Sequence, residues 1–147
     1  MDRMKKCCLF LFLCFSLVGR FLHAEEADYE FSGRHFIASY VGCDHKALAN
    51  LEELKKAFLL AVDESGATLL EAADYVFPPE GMTMVALLSE SHASIHTYPE
   101  HDACFVDLFT CGTKCQAEKF DACLREYLHP KKVSHKILVR DELVADE

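Results

Sequence analysis

No Cys-x-x-Cys pair, no Gly-x-Ser-x-Gly elbow, no apolar run of bilayer length, no internal repeat and no low-complexity linker occurs in this chain of 147 residues. Each absence removes a class of function. Without paired-cysteine spacing there is neither a zinc finger nor a disulfide framework to read. Without the elbow that exposes a nucleophilic serine, a hydrolase built on Ser91, His96 and Asp107 has no scaffold. The longest apolar stretch, residues 7–18, is shorter than the about 20 residues a helix needs to span a bilayer. Basic residues are also few: 15 Lys and Arg against 24 Asp and Glu give a net charge of −9, which does not favour nucleic acid and fits a surface kept from aggregating. The length is that of one domain with one core.

The first 24 residues differ in kind from the rest. Arg3, Lys5 and Lys6 precede the apolar run, and Arg20 and Leu22-His23-Ala24 lead from it into the acidic Glu25 and Glu26. That is the layout of a secretory leader with a poor small-x-small cleavage site, and it implies export, periplasmic or secreted. A leader left in place as a membrane tether and a misassigned start are the rival readings. The next methionine after Met4 is Met82, so no later start spares the domain. The functional domain is expected over residues 25–147. With Arg3, Lys5, Lys6, Arg20 and Asp2 set aside it keeps 11 basic and 23 acidic residues, a net charge of −12. It also keeps five cysteines, Cys43, Cys104, Cys111, Cys115 and Cys123, an odd number.

Along that domain, residues 35–40 read as a first strand and Gly42-Cys43-Asp44 as a turn, with Asp44 placed to cap a helix. From 45 to 63, Leu48, Leu51, Leu54, Phe58, Leu59 and Val62 recur at three- and four-residue intervals, the signature of one helix with one apolar face. Gly66 ends it. Residues 67–77 read as a second strand with a polar bend around 71–74, and Pro78-Pro79-Glu80-Gly81 as a tight connection. Residues 82–88 are apolar except Thr83, a buried strand; 94–98 continue extended, 99–102 turn, and 103–110 form another strand. A second amphipathic helix covers 115–128 and a last strand 132–139, before an acidic tail. Elements in this order predict an α+β fold, a two-layer sandwich with a mainly antiparallel sheet and two helices on one face.

Residues 88–112 carry the densest run of nucleophiles, imidazoles and carboxylates. Ser91 follows Glu90, His92 and His96 come just after, and Cys111 closes the run beside Gly112. Alternation in a regular strand sends Ser91 and His96 to opposite faces, so a bend or bulge between them is expected if their side chains meet. His92, His96, His101, Cys104 and Cys111 include metal-ligating groups, but no pair has standard zinc spacing, and no metal is expected. Taken singly, a serine in a turn, a histidine on a strand and a cysteine on a strand are structural residues. Their joint order carries the functional reading.

That order is Ser-Glu-Ser-His-x-Ser-Ile-His-Thr-aromatic-Pro-Glu over residues 89–100, followed by Val-Asp-Leu-Phe-Thr-Cys-Gly over 106–112. It resembles the bacterial and archaeal S-adenosylmethionine decarboxylase proenzymes, which make their own pyruvoyl cofactor by cutting themselves. The likeness extends upstream through Gly33-Arg34-His35, Gly42-Cys43-Asp44, Glu64-Ser65-Gly66-Ala67-Thr68 and Pro79 with Gly81, and so covers the chain from about residue 31.

The resemblance implies that Ser91 attacks the carbonyl of Glu90, that the Glu90–Ser91 bond breaks, and that Ser91 becomes a pyruvoyl group whose ketone forms a Schiff base with the substrate amine. No external cofactor is then needed for an electron sink. By the same resemblance His96 is the processing histidine, suited to taking a proton near neutral pH. Cys111 is the proton donor to the product carbon, and Thr83 stands where a processing serine is usual, its extra methyl restricting its rotamer. Phe77 and Tyr98 match aromatic positions that flank the adenine, equally readable as core or dimer contacts. Glu100 matches the carboxylate that holds the ribose, though it is also readable as a solvated turn residue. Tyr98 replaces a more usual tryptophan, and His101, Asp102, Cys104 and Phe105 depart from the family pattern. The expected product is decarboxylated S-adenosylmethionine for spermidine synthesis. The expected assembly is a homodimer of cleaved protomers with active sites at the interface, and Phe77 then serves the neighbouring subunit. A small-molecule substrate, a cytoplasmic setting and no membrane contact except through an uncleaved leader complete the expectation. The cytoplasmic setting conflicts with the leader. An arginine or ornithine decarboxylase on the same scaffold, and a secreted binding relative without activity, are the alternatives.

Overall fold

A computed structural model describes residues 31–141, so the leader read over 1–24 and most of the acidic tail lie outside the described residues. Six strands form one sheet: β1 (Ser32–Val41), β2 (Leu69–Val76), β3 (Met82–Leu88), β4 (Ser91–Tyr98), β5 (Ala103–Cys111) and β6 (Lys132–Asp141). Their order is β2-β3-β4-β5-β1-β6, and every neighbouring pair is antiparallel. The helices are α1 (His45–Ala49), α2 (Leu51–Glu64) and α3 (Ala117–Leu128). The α+β two-layer reading holds, with α2 and α3 together on one face.

Alternation decides which face they cover. Phe36, Ala38 and Tyr40 of β1, Met82, Met84 and Ala86 of β3, and Ala93 and Ile95 of β4 are buried, together with Val106 and Leu108 of β5. They meet Leu54, Phe58, Ala61 and Val62 of α2 and Phe120, Leu124 and Leu128 of α3 in one core. Phe120 stands edge-on to both Phe36 and Phe58, with ring centroids 6.1 and 6.0 Å away. Burying each such side chain stabilises the fold by about 1.5–3 kcal/mol. Tyr40 donates its hydroxyl to Asp121 Oδ1 of α3 at 2.5 Å; burial, and then that carboxylate, push the phenol far up, so it stays a donor. Among the described residues the other sheet face carries no helix, and Leu87 and Phe105 on it are about half exposed.

Four local expectations are corrected. The single helix over 45–63 is two, because Asn50 leaves helical geometry at ψ 79° and its side chain caps α2 by accepting from the Glu53 N–H at 3.5 Å. Apolar spacing runs across that break, which is why periodicity alone hid it. Asp44 does cap α1, accepting from the N–H groups of Lys46 and Ala47. The polar bend expected at 71–74 is absent: the only irregularity in the β2–β3 ladder lies between Leu69 and Glu71. Asp74 stays in the strand, paired at 2.8 Å with Lys55 of α2. The extended stretch expected from residue 94 begins at Ser91, so β3 and β4 form a hairpin whose turn is only Ser89 and Glu90. Finally, no bulge separates Ser91 from His96, since β4 keeps an unbroken register with both β3 and β5.

Candidate active site

The hairpin turn holds one set of reactive groups. Glu90 and Ser91 sit at its exit, where Ser91 has φ +152°, a conformation that a residue with a side chain adopts only when its surroundings impose it. The carbonyl oxygen of Glu90 accepts the N–H of Cys111, the last residue of β5, at 3.0 Å. A donor on that oxygen polarises the carbonyl. The Ser91 hydroxyl lies 3.1 Å from Nδ1 of His92, and the Glu90 carboxylate is held by Thr68 through its N–H at 2.9 Å and its hydroxyl at 3.1 Å. Cys111 is half-buried at the strand end.

A second set lies at the far end of the same strands. His96 pairs in register with Thr83 of β3, and its Nδ1 is hydrogen-bonded to the Thr83 hydroxyl. Its ring stands between Phe77 and Tyr98, with centroids 5.8 and 4.6 Å away. These residues line a cavity of about 490 Å³ with Glu100, Gly81 and Glu80. Glu100 reaches it from the short 3-10 turn Pro99–His101. His45 ties the turn at Pro99 to Glu80, which lines that cavity: Nδ1 is 3.0 Å from Asp102 and 3.2 Å from the Pro99 carbonyl, and Nε2 is 3.6 Å from Glu80. Asp102, chiefly, and Glu80 raise the His45 pKa above its ordinary value.

The two sets do not meet within one chain. Five strand positions separate Ser91 from His96, about 16 Å at the usual rise. Nor does Asp107 serve His96; it accepts from the Ser94 hydroxyl at 3.1 Å and lies 3.3 Å from His35, so the Ser91-His96-Asp107 relay is not assembled. Among the described residues no group of three or more His, Cys, Asp or Glu side chains is arranged to hold a metal. Cys104 is turned into the core, where its thiol shares a hydrogen bond with that of Cys43; that bond and burial drive the Cys104 pKa far up. Sequence reasoning overlooked Thr68 as a partner of Glu90, His92 as the imidazole beside Ser91, and the Cys111 N–H. Thr68 lies 22 residues from Glu90 and the Cys111 N–H comes from the end of β5, so local spacing gives no signal for either; His92 is the sequence neighbour of Ser91, and that adjacency was the available signal.

Comparison with known proteins bears on what this arrangement does. The family model described as S-adenosylmethionine decarboxylase matches residues 34–141. An S-adenosylmethionine decarboxylase proenzyme of Thermosipho africanus is 41% identical over 101 residues, covering 69% of this chain and 78% of that one. One of Methanococcus maripaludis is 36% identical over 115 residues, covering 78% and 94%. The crystal structure of the adenosylmethionine decarboxylase of Aquifex aeolicus superposes with a TM-score of 0.71 at 30% identity, covering 80% of this chain and 98% of that one.

Proposed function

The chain belongs to the S-adenosylmethionine decarboxylase family, and on that premise we propose that it is a self-cleaving proenzyme that decarboxylates S-adenosylmethionine. The observation that carries the reading is the Glu90–Ser91 junction. A hydroxyl, a strained backbone and a carbonyl already bound to a donor N–H stand together at the bond to be cut. These residues fit a pyruvoyl group made in place from Ser91, at the head of β4. When formed, that group supplies the ketone that acts as electron sink for loss of carbon dioxide.

The chain's own side chains take the remaining roles. Ser91 supplies the attacking hydroxyl, and Cys111 lies within reach of the same turn to return a proton to the product carbon. His96, its Nδ1 engaged by Thr83, offers its other ring nitrogen as a proton acceptor. Phe77 and Tyr98 give the cavity aromatic walls for a purine, and Glu100 a carboxylate for ribose hydroxyls. Aromatic walls of this kind favour a nucleoside substrate over arginine or ornithine. The product then serves spermidine synthesis, in the cytoplasm.

The gap of about 16 Å supports a homodimer. A proton acceptor about 16 Å along the strand cannot serve Ser91 in its own chain. Thr83 and His96 lie on the sheet face that no helix covers among the described residues, as does Cys111. Packing of that face against a second copy about a two-fold axis brings the His96 end of one chain over the Ser91 end of the other. The half-exposed Leu87 and Phe105 supply apolar area for the contact.

The test is intact mass of the purified protein under denaturing conditions, with Ser91→Ala as control, followed by carbon dioxide release from carboxyl-labelled S-adenosylmethionine, arginine and ornithine. Two chains breaking between Glu90 and Ser91, the second beginning with pyruvoyl, and release from S-adenosylmethionine alone are expected. A single uncut chain in the unsubstituted protein overturns the reading.

A further inference from the structure

We infer that Thr68 is a positioning residue for the self-cleavage, acting through Glu90 to hold the scissile turn in its reactive shape; the inference rests on the function proposed above. The turn does not hold itself. Two-residue hairpin loops favour glycine, asparagine or aspartate because their central residues need positive φ or close backbone approach. This loop is Ser89 and Glu90, neither a favoured residue, and it delivers Ser91 at φ +152°. Its shape has to be imposed from outside.

Thr68 is placed to impose it. Helix α2 stops at Ser65, whose hydroxyl donates to the Val62 carbonyl at 2.6 Å and accepts the Ala67 N–H at 3.3 Å. The Ser65 carbonyl accepts the Gln116 N–H at 2.8 Å, and Gly66 turns the chain at φ +82°. The chain leaving the helix is thus fixed residue by residue, and Thr68 arrives at the head of β2 directly against the hairpin. From there it makes three bonds to the loop. Its carbonyl accepts the Ser89 N–H at 2.9 Å, its N–H donates to Glu90 Oε2 at 2.9 Å, and its hydroxyl donates to Glu90 Oε1 at 3.1 Å. The last two are charge-assisted and two-pronged, so they fix direction as well as distance. With the Cys111 N–H on the Glu90 carbonyl, both residues ahead of the scissile bond are tied.

The chemistry needs that constraint. Ser91 Oγ bonds to the Glu90 carbonyl carbon, the C–N bond breaks, and the hydroxyl proton ends on the freed nitrogen, leaving an ester. The Ser91 Cα proton then leaves, its bonding pair forms a Cα=Cβ double bond, and the Cβ–O electrons go to the freed main-chain carboxylate of Glu90; the resulting enamine becomes an imine, and water replaces its nitrogen, which departs as ammonia. The first step runs through a five-membered ring that forms only when the hydroxyl lies over the face of that carbonyl. A loop free to rotate loses that alignment.

The experiment follows cleavage of the freshly synthesised full chain by intact mass over time, in the unsubstituted protein and in Thr68→Val, Thr68→Ser, Glu90→Ala and Thr68→Val/Glu90→Ala. Valine keeps the shape and backbone N–H of threonine and loses the hydroxyl; serine keeps the hydroxyl. Thr68→Val is expected to slow cleavage by about ten-fold or more, with thermal melting unchanged, and Thr68→Ser to cleave within about two-fold of the unsubstituted chain. The double variant should be no slower than Glu90→Ala alone. Cleavage of Thr68→Val at the unsubstituted rate, or of Thr68→Ser as slowly as Thr68→Val, overturns the role of the hydroxyl while leaving the proposed function standing. An unsubstituted chain that never cuts overturns both.

Discussion

The backbone N–H of Cys111 donates to the carbonyl oxygen of Glu90 at 3.0 Å, so on the proposed function one residue offers a main-chain donor to the bond to be cut and a side-chain thiol to the reaction that follows. The two roles separate by substitution. Cys111→Ala keeps the N–H and should cleave within a few-fold of the unsubstituted rate, while carbon dioxide release per cleaved chain falls by about a hundred-fold for loss of a positioned acid. Cys111→Pro removes the donor and should slow cleavage itself by about a hundred-fold or more. Equal cleavage by the two variants, with comparable melting, sinks the assignment of the N–H.

The His45 contacts give a pH dependence with a definite sign. Asp102 and Glu80 favour the charged imidazole, so its pKa is higher in the folded chain than in the unfolded one. The stabilisation is complete below the ordinary value of 6.5 and is lost as pH rises through the raised folded value. The melting temperature of the unsubstituted protein should therefore exceed that of His45→Gln at pH 5.5, and the gap should close by pH 9. A gap that stays constant with pH means the charge on His45 plays no part. Because the contacts tie the Pro99 turn to Glu80, the same variant should loosen substrate binding at low pH, read as a rise in KM.

How much of this was legible in the sequence follows from the range of each signal. The strand 103–110, the capping Asp44, the second helix and the amphipathic face from Leu54 to Val62 were readable because burial on one side imposes a period that the chain itself displays. Asn50 was not, because one capping side chain interrupts a helix without disturbing the spacing of its leucines. The order of reactive residues from Ser89 to Gly112 pointed to the chemistry. It did not show that Ser91 and His96 are held apart, because the missing bulge is a property of the ladders with β3 and β5. Thr68 lies 22 residues before Glu90, and the bonds between them exist only once β2 pairs with β3.

Gly33 shows the same point in packing. It pairs in register with Cys111, and a Cβ added there falls 2.4 Å from the ring of Phe109. That ring is tilted against His92 at 5.7 Å and lies under the Arg140 guanidinium at 4.4 Å. Gly33→Ala should cost about 1–3 kcal/mol through overpacking, read as a lower denaturant midpoint. A variant of unchanged midpoint shows that the ring moves aside freely.

The separation of Ser91 from His96 yields the sharpest prediction about assembly. If each site takes Ser91 from one chain and His96 from its partner, neither Ser91→Ala nor His96→Ala homodimers can complete cleavage: the first lacks the hydroxyl and the second lacks the proton acceptor. In a mixed dimer, one of the two sites joins the intact Ser91 of the His96→Ala chain to the intact His96 of the Ser91→Ala chain, and the other site lacks both. Co-expression of the two variants with different tags should therefore cut only the His96→Ala chain, and carbon dioxide release should reach about half that of the unsubstituted dimer per mixed dimer. Placing a charge on the uncovered face, as in Phe105→Glu, should yield monomers by sedimentation and abolish the complementation, since burying an unpaired carboxylate there opposes association. If His96 instead served its own chain, the mixture would stay uncut, and the about 16 Å between the two residues would have to close by rearrangement of β4.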